Sequence, residues 1–528
     1  MRTLMKKAIT SIYSYIKKHP KLDLVLIAVG LAIFAAITLA NAPRASIWFD
    51  EAFSAYIVQF SFWDIARYTA SDVHPPMYYW ALKIWSDLFG TTEIAYRSLS
   101  ILFGAAAATV AFFLSRKLFG RKVAWLSFIF IILSPMVIRY SDEARMYTMA
   151  AFIVMSATYF MVKALETKKR KYWALYAVFV SLGMWTHYFT ALAWVAHWIW
   201  RATQVWRKNN SFKEFMRKFF SKEWIITFAV AIGLYLPWLP FMAFQLGVVQ
   251  SAGFWIGPVS TDTPVNYLTN YFYYLEHGEV QGWFALAMIA IVTVIILILP
   301  RVYKSLGAQA KSSFLLITSL AWAPPILLFL ASLPPLRSSF VERYLIPSVI
   351  ALSIFLAIVL VVGTRSWKPF WRAVPIVVII GMMAVGITNV YHYGNFNKNT
   401  NFHIMARQAV KEAQNSSPKG TPIIAASPWA FYEVIPYSTE DYPIYFIDKG
   451  TEYIYGSLDM LKYNDQHKIK DLDAFEKEHK TIWYISGTHD VDVAPYDSSW
   501  VKLQTVGPYD ELMGESYYKA TEYRVSGE

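Results

Sequence analysis

The chain has 528 residues, of which 56% are hydrophobic and only 16% are charged, and its mean hydropathy is +0.34. Average soluble domains carry about 25% charged residues, so this composition excludes an ordinary soluble enzyme and indicates a polytopic α-helical membrane protein. The absence of cysteine excludes disulfides and thiolate metal sites. The formal net charge of +13 is unevenly spread, because residues 1–390 carry +20 and residues 391–528 carry −7.

Eleven apolar stretches are predicted to cross the membrane, for which a helix needs roughly 20 residues. They are residues 22–40, 94–115, 123–138, 146–165, 172–186, 188–200, 224–243, 283–300, 314–332, 344–363 and 373–390. Residues 172–200 can form one long helix or two short ones. We predict two, with a break near Thr186 and His187, because a single helix would reverse the side of every later loop; ten or twelve spans remain alternatives.

The positions of Lys and Arg predict the orientation. With the N-terminus inside, the inner segments hold 28 of these residues and the outer loops before residue 391 hold seven. The positive-inside rule therefore places the N-terminus in the cytoplasm and the C-terminus outside. Because the excess charge lies in short loops between apolar runs, it does not indicate nucleic-acid binding.

The first outer loop, residues 43–93, begins with Trp48-Phe49-Asp50-Glu51 directly after the first span. In a soluble protein, Asp50 and Glu51 would be the ordinary acidic start of a helix. At the membrane surface, such a pair favours chemistry on a lipid-borne substrate. The apolar residues that follow recur at helical spacing and predict an amphipathic helix lying on the membrane interface: Phe53, Tyr56, Ile57 and Phe60.

Basic residues on the predicted outer side are candidates for binding a phosphate. Arg145 follows the third span in the sequence Arg139-Tyr140-Ser141-Asp142-Glu143-Ala144-Arg145 and suits bidentate phosphate binding. In that role Asp142 or Glu143 would orient it or bind a metal; alternatively, the segment is a self-neutralising interfacial cluster. Arg343 is the second candidate, against ordinary snorkelling at the interface.

Three weaker candidates lie in or near the same loop. His74, before Pro75 and Pro76, either contacts phosphate, coordinates a divalent ion or is part of a stiff turn. Lys83 and Arg97 are weaker phosphate candidates. His187 and His197 lie among aromatic residues and are interpreted as packing residues.

A second outer loop, residues 244–282, has no Lys or Arg and is predicted to close over a substrate. Its aromatic residues include Phe254, Trp255, Tyr267, Tyr271, Phe272, Tyr273 and Tyr274. Residues 391–528 have the composition of a soluble domain, in contrast to the membrane domain of residues 1–390. Alternating strand and helix patterns predict a small α/β domain. The predicted elements are helices at 403–414 and 472–479 and strands at 421–426, 442–447 and 481–486.

No glycine-rich nucleotide loop and no common hydrolase motif is present in the sequence. A nucleotide-activated donor would also lie on the wrong side of the membrane, so a donor activated on a lipid phosphate is indicated instead. The main alternative is a transporter or flippase of a lipid-linked sugar, but transporters usually contain inverted repeats or paired broken helices. A scaffold whose exposed domain binds a partner would leave Asp50, Glu51 and Arg145 unexplained.

The motifs together resemble those of bacterial protein O-mannosyltransferase-like proteins, glycosyltransferase family 39. The resemblance rests on the Asp50-Glu51 pair, on His74-Pro75-Pro76-Met77-Tyr78-Tyr79, on Glu143-Ala144-Arg145-Met146-Tyr147 and on Arg343-Tyr344-Leu345-Ile346-Pro347. It covers about residues 22–390. The aminoarabinose transferase acting on lipid A is a more distant relative of this group.

This resemblance implies the GT-C fold and an inverting transfer of a sugar from a polyprenyl-phosphate donor to a hydroxyl acceptor. Asp50 matches the catalytic base, with Glu51 beside it, and Arg145 matches a ligand of the donor phosphate. His74 stands where relatives carry His or a basic residue, which leaves a divalent metal ion open. The acceptor is a protein, a glycolipid or a cell-wall glycan, and the implied location is the bacterial cytoplasmic membrane.

Overall fold

The computed structural model describes residues 21–207, 211–252, 256–274, 282–393, 405–447, 459–462, 465–487, 499–507 and 518–525. The predicted basic N-terminal residues before Lys21 lie outside these ranges. Within these ranges, eighteen helices precede residue 394, and a small sheet with four further helices follows. The protein is a multi-pass membrane protein, as its composition predicts.

The helices of the first 393 residues agree in position with all eleven predicted spans. Their bounds are α1 Lys21–Asn41, α2 Phe49–Ile57, α3 Phe62–Ala70, α4 Met77–Phe89, α5 Glu93–Phe119, α6 Arg121–Leu133, α7 Pro135–Ser141, α8 Tyr147–Thr167, α9 Arg170–Thr186, α10 Thr190–Trp206, α11 Phe212–Phe219, α12 Lys222–Tyr235, α13 Leu239–Ala252, α14 Thr263–Phe272, α15 Gly282–Ser305, α16 Ala308–Ala331, α17 Ile346–Gly363 and α18 Pro369–Tyr393. Short 3₁₀ turns join α12 to α13 and precede α17.

The number of spans stays a prediction. Within the described residues, eight helices are long and apolar enough to cross a membrane, and the pair α6–α7 makes a ninth. That pair is bent by 56° at Pro135, which cannot donate a helical hydrogen bond. Helices α9 and α10 have 17 residues each. They are separate helices with a break after Thr186, as predicted.

Helix α17 lies at the centre of the bundle. Its apolar residues are buried all round, as expected for a helix enclosed by others. It packs against α6, α8, α15 and α16. At one end of the bundle, Asp23 of α1 forms ion pairs with Arg116 of α5 and Arg121 of α6. The candidate residues lie at the other end.

The segment between α1 and α5 forms three short helices over this second end. Ser61 caps α3 by accepting a hydrogen bond from the Asp64 N–H. The predicted interfacial helix exists as α2, but its placement on the membrane surface is wrong. Phe53, Tyr56 and Ile57 are buried in α2, because the helix is enclosed between α4 and the C-terminal region.

The predicted aromatic loop contains the end of α13 and all of α14. Tyr267, Tyr271 and Phe272 of α14 are buried, as are the following Tyr273 and Tyr274. Phe254 and Trp255 lie outside the described residues. Closure of this segment over a substrate stays a prediction.

The C-terminal region contains a six-stranded sheet with four parallel strands at one side. Its elements are α19 Ala406–Asn415, β1 Ile423–Ala425, α20 Pro428–Val434, β2 Ile444–Ile447, α21 Asp459–Lys462, β3 Lys468–Ile469, α22 Leu472–Glu478, β4 Thr481–Gly487, β5 Val501–Val506 and β6 Tyr518–Arg524. The strand order is β3-β2-β1-β4-β6-β5, and β5 and β6 are antiparallel to their neighbours. The α/β character is therefore confirmed. That residues 391–528 form a separate domain stays a prediction.

Candidate active site

Four segments meet where the bundle faces the C-terminal region. They are the start of α2, the turn before α4, the link between α7 and α8, and the 3₁₀ turn Glu342–Leu345 before α17. The side chains that join them are mostly buried. Because they come from distant parts of the chain, their geometry depends on the packing of the helices beneath them.

Glu51 and Arg97 form a buried ion pair. Arg97 Nε and Nη2 donate to the two carboxylate oxygens of Glu51 at 2.8 and 2.5 Å. The same guanidinium donates to the carbonyls of Ala42, Ala45 and Ser46. The Ala144 N–H also donates to Glu51 Oε1, at 2.9 Å. Both charged groups are thus occupied by protein partners, which argues against Arg97 as a phosphate ligand and against Glu51 as a reacting group.

Asp50 has a different environment from its neighbour. Its carboxylate is 20% exposed and lies 3.1 Å from Arg343 Nη2. Successive helical residues point about 100° apart, so Glu51 faces the protein interior while Asp50 borders an accessible space. Burial raises the pKa of Asp50, but the positive charges of Arg145 and Arg343 outweigh this effect and hold that pKa below its ordinary value.

Arg145 lies on the other side of Asp50. Its Nη1 donates to the backbone carbonyl of Asp50 at 3.1 Å and to the Tyr79 hydroxyl at 3.0 Å. Ser100 Oγ donates to the Arg145 carbonyl at 3.0 Å and fixes the backbone. Arg145 Nε is buried and has no hydrogen-bond partner among the described residues. A buried donor of this kind usually has a water or ligand partner.

His74 is held at the edge of the same site. Its Nδ1 lies 3.3 Å from Asp72 Oδ2, and its ring is 5.8 Å from the ring of His187. Burial, and then the charge of Arg145, lower the pKa of His74 more than the hydrogen bond to Asp72 raises it. The lowered pKa favours the neutral imidazole, whose one N–H lies on Nδ1 and donates to the Asp72 carboxylate, so Nε2 is left as a hydrogen-bond acceptor.

Asp142 and Glu143 have structural partners. Arg139 Nη1 donates to Glu143 Oε2 at 2.7 Å, and Asn41 Nδ2 donates to Asp142 Oδ2 at 2.5 Å. Burial, and then the charge of Glu51, raise the pKa of Asp142 to about 7, although Arg97 opposes this shift. Burial likewise raises the pKa of Glu143 against the influence of Arg139. Their predicted role beside Arg145 stays a prediction.

Lys83 has partners other than Asp50 and Glu51. Its Nζ donates to the carbonyl of Val58 at 3.2 Å and lies 3.5 Å from Asp87 Oδ2. These contacts join α4 to the end of α2. They favour a structural role and give no support to the predicted phosphate contact.

Aromatic side chains form a wall that the sequence analysis did not assign to the site. The Tyr344 ring stacks on Phe189 at 4.9 Å between centroids and lies 4.8 Å from His187. Arg343 lies over the rings of Trp48 and Tyr147. His187 was interpreted as a packing residue, but it sits where the chain breaks between α9 and α10. A polar residue at a break between two apolar helices was the signal in the sequence that could have assigned His187 to the site.

The donor set does not fit a divalent cation. Among the described residues, no three His, Asp or Glu side chains are arranged to hold a metal ion. The accessible carboxylate, Asp50, lies between two guanidinium groups that would repel a cation. Mg²⁺ and Ca²⁺ need several oxygen ligands, which this arrangement does not offer. We therefore derive no step through a metal.

Comparison with known structures identifies the fold. The chain is similar to ArnT from Cupriavidus metallidurans in the apo state, with a TM-score of 0.57 at 14% identity over 94% of this chain and 98% of that chain. The chain has the GT-C fold. The GT-C-like fold predicted from the sequence, and the predicted resemblance to GT-C membrane glycosyltransferases, are thereby confirmed.

Two further structures with the GT-C fold were obtained with lipid phosphates. ArnT from Cupriavidus metallidurans bound to undecaprenyl phosphate matches with a TM-score of 0.55 at 13% identity, over 94% of this chain and 98% of that chain. The oligosaccharyltransferase AglB from Archaeoglobus fulgidus, in complex with an inhibitory peptide and a dolichol-phosphate, matches with a TM-score of 0.50 at 12% identity. The latter match covers 90% of this chain and 70% of AglB.

A family model supports the same fold from the sequence side. Residues 73–241 match the model described as dolichyl-phosphate-mannose-protein mannosyltransferase, which is less than half of the chain. The matched stretch includes His74, Arg97 and Arg145 but neither Asp50 nor Arg343. No curated protein matches the sequence.

Proposed function

We propose that the protein is an integral-membrane glycosyltransferase that moves a sugar from a polyprenyl-phosphate donor to a hydroxyl acceptor, with inversion at the sugar. The observation that carries this proposal is the position of Asp50. Its partly exposed carboxylate lies between Arg145 and Arg343, beside the aromatic wall that includes Tyr147. A transporter would need basic side chains to hold a phosphate, but it would not need an accessible carboxylate beside those side chains.

A lipid phosphate suits the two arginines. A guanidinium group can donate two parallel hydrogen bonds to a phosphate. The Nε of Arg145, which has no partner among the described residues, is available for one of them. Phosphate is also the leaving group, so charge that develops on it during transfer would be stabilised in place. The lipid phosphates bound by ArnT and AglB, which share the fold, support this choice of donor.

In the proposed reaction, the acceptor hydroxyl lies against Asp50 and its oxygen attacks the anomeric carbon from the side opposite the phosphate. The hydroxyl proton passes to Asp50, and the bond between the anomeric carbon and the phosphate oxygen breaks. The electron pair leaves with the lipid phosphate, which Arg145 and Arg343 hold. Because the lowered pKa of Asp50 makes it a weak base, proton transfer comes late and orientation of the acceptor contributes much of the rate.

The neighbouring charged residues have supporting roles in this proposal. Arg97 and Glu51 fix the start of α2, and Lys83 fixes its end. His74, whose Nδ1–H donates to Asp72, lines the site as a neutral group with Nε2 as an acceptor. The proposal revises the predicted roles of Glu51, Arg97 and Lys83 and keeps those of Asp50, Arg145 and Arg343.

We place the reaction on the outer face of the bacterial cytoplasmic membrane. The distribution of Lys and Arg supports an N-terminus inside and a C-terminal region outside. Asp23, with its two arginines, then marks the inner end of the bundle, and Asp50 the outer end. The acceptor is a hydroxyl of a protein, a glycolipid or a cell-wall glycan.

Reconstituted vesicles would test the proposal. The purified protein is supplied with polyprenyl-phosphate sugars and an envelope extract as acceptor pool, and free lipid phosphate is measured together with the leaflet of the remaining donor. The proposal predicts donor consumption that requires the acceptor pool. Movement of intact donor between leaflets without release of lipid phosphate would instead establish a transporter.

A further inference from the structure

The C-terminal region makes polar contacts with the short loop that leads to Asp50. Tyr437 accepts a hydrogen bond from the Ile47 N–H at 3.0 Å, and its own hydroxyl donates to Glu93 Oε1 at 2.5 Å. Arg407 forms an ion pair with the same Glu93 carboxylate, and its Nη2 donates to the Pro43 carbonyl at 2.9 Å. The side chain of Glu93 is only 11% exposed. We call Ile47, Glu93, Arg407 and Tyr437 the interdomain cluster.

Aromatic packing continues the same contact along α2. The Tyr432 ring of α20 lies 6.2 Å from Phe49 and 5.2 Å from Tyr56, and Phe431 lies 6.1 Å from Tyr56. Phe49 directly precedes Asp50. One face of the helix that carries Asp50 is therefore covered by the C-terminal region.

Two anchors consequently hold the loop before α2 from opposite sides. Arg97, from the bundle, donates to the carbonyls of Ala45 and Ser46. From the C-terminal region, the Tyr437 hydroxyl accepts from the neighbouring Ile47 N–H, and Met405 Sδ accepts from the Ser46 N–H at 3.2 Å. A loop has few local constraints of its own, so such contacts decide where the following helix begins.

We propose that Glu93 and Tyr437 are positioning residues, through which the C-terminal region sets the place of Asp50 against the donor phosphate. The C-terminal region thus supports the active site from outside, through the loop that leads to Asp50. This inference rests on the proposed function for its effect on turnover, but its structural half can be measured without activity.

The first measurement uses the absence of native cysteine. Ser46 is 1% exposed, and its hydroxyl has no hydrogen-bond partner within the described chain, so Ser46→Cys should be well tolerated. The rate at which a maleimide labels this thiol reports how often the loop opens. Adding Tyr437→Phe or Glu93→Gln should raise the labelling rate at least about tenfold. The first substitution removes the hydrogen bonds of Tyr437 with Ile47 and Glu93, and the second removes the charge that pairs with Arg407.

A matched control lies in the same region of the protein. Lys419 and Asp441 form an ion pair in which both side chains are at least half exposed. Lys419→Gln removes a charge from the C-terminal region without touching the loop, and it should leave the labelling rate unchanged. Tyr437→Phe keeps the ring and its packing, so it separates the loss of the hydrogen bond from a failure to fold.

The second measurement is turnover in the same variants. The inference predicts that kcat falls about tenfold in Tyr437→Phe and in Glu93→Gln, while the affinity for lipid phosphate stays within about twofold. Unchanged labelling in both variants would overturn the inference, and so would increased labelling with unchanged kcat. If the wild-type protein transfers no sugar, the proposed function fails, whereas the labelling rates still decide whether the cluster holds the loop.

Discussion

The guanidinium of Arg97 binds both carboxylate oxygens of Glu51, which lies 46 residues earlier in the chain. Both side chains are at most 2% exposed. This pair ties α2 to α5 and leaves Asp50, one residue before Glu51, as the acidic group that faces the site. The two adjacent carboxylates thereby acquire different functions.

Removing the charge of Glu51 should therefore damage stability. Glu51→Gln leaves the Arg97 guanidinium buried without its counter-ion, a change that typically costs about 3–5 kcal/mol. We expect the apparent Tm in detergent to fall by several degrees at a fixed scan rate. Glu166→Gln, which breaks an exposed pair with Lys117, is the control and should change the Tm little. A wild-type Tm for Glu51→Gln would contradict a structural role for this pair.

The role of Arg145 predicts a loss of donor affinity. Arg145→Lys keeps a positive charge but cannot reproduce the planar hydrogen bonds of a guanidinium. We expect the Kd for polyprenyl phosphate to rise about tenfold or more, measured by titration in detergent. Lys83→Gln tests the rejected phosphate contact and should leave the Kd unchanged. A weaker donor affinity in Lys83→Gln alone would reverse these two assignments.

The charge of Arg343 predicts a shift in the pH profile. Asp50 must be deprotonated to take the proton of the acceptor hydroxyl. Because its pKa is lowered, it stays deprotonated at pH values below the ordinary aspartate pKa of about 3.9. Arg343→Gln removes one of the charges that lower this pKa. The acid limb of kcat/KM, the fall in this rate constant at low pH, should therefore move to higher pH. The control is Arg337→Gln, in an exposed loop, which should leave the acid limb of kcat/KM at its wild-type pH. If the acid limb does not move in Arg343→Gln, the ionisation of Asp50 does not determine it.

The raised pKa of Asp142 predicts a dependence of stability on pH. Its protonated form is favoured at the buried site. Its contribution to the free energy of unfolding is therefore full below the pKa of about 3.9 that it has in the unfolded chain, and is lost as pH rises through about 7. Asp142→Asn cannot ionise and can still accept from Asn41. We expect the Tm of this variant relative to wild type to increase between pH 5 and pH 8, by about 2 °C or more. Parallel curves for the two proteins would contradict the raised pKa.

Local patterns predicted most of the elements. The apolar runs of β1, β2 and β4 and the helical pattern of α19 were visible in the sequence, as were the long apolar helices. Strand β5 was missed because its sequence, Val-Lys-Leu-Gln-Thr-Val, alternates apolar and polar residues over only four positions. As an exposed edge strand it also lacks the apolar run by which the buried strands were recognised.

The sequence predicted which residues belong to the site, but not which of their side chains contact each other. Asp50, Arg145 and Arg343 were named from charge and location at predicted span ends. Charge and position do not distinguish Asp50 from Glu51, and only the family resemblance singles out Asp50, because which face of α2 is buried depends on distant helices. The pairing of Arg97 with Glu51 and the covering of α2 by Tyr432 are likewise long-range contacts that periodicity does not encode.

The most direct test of the central claim is the single-turnover rate of sugar transfer in Asp50→Asn, with donor saturating. The account predicts a rate at least about a hundredfold below wild type, with a Kd for lipid phosphate that is not weakened. Asp64→Asn, an identical substitution at a helix start in the same loop, should transfer sugar at the wild-type rate. Transfer by Asp50→Asn at the wild-type rate would contradict the account, because the reaction would then need no carboxylate at this position.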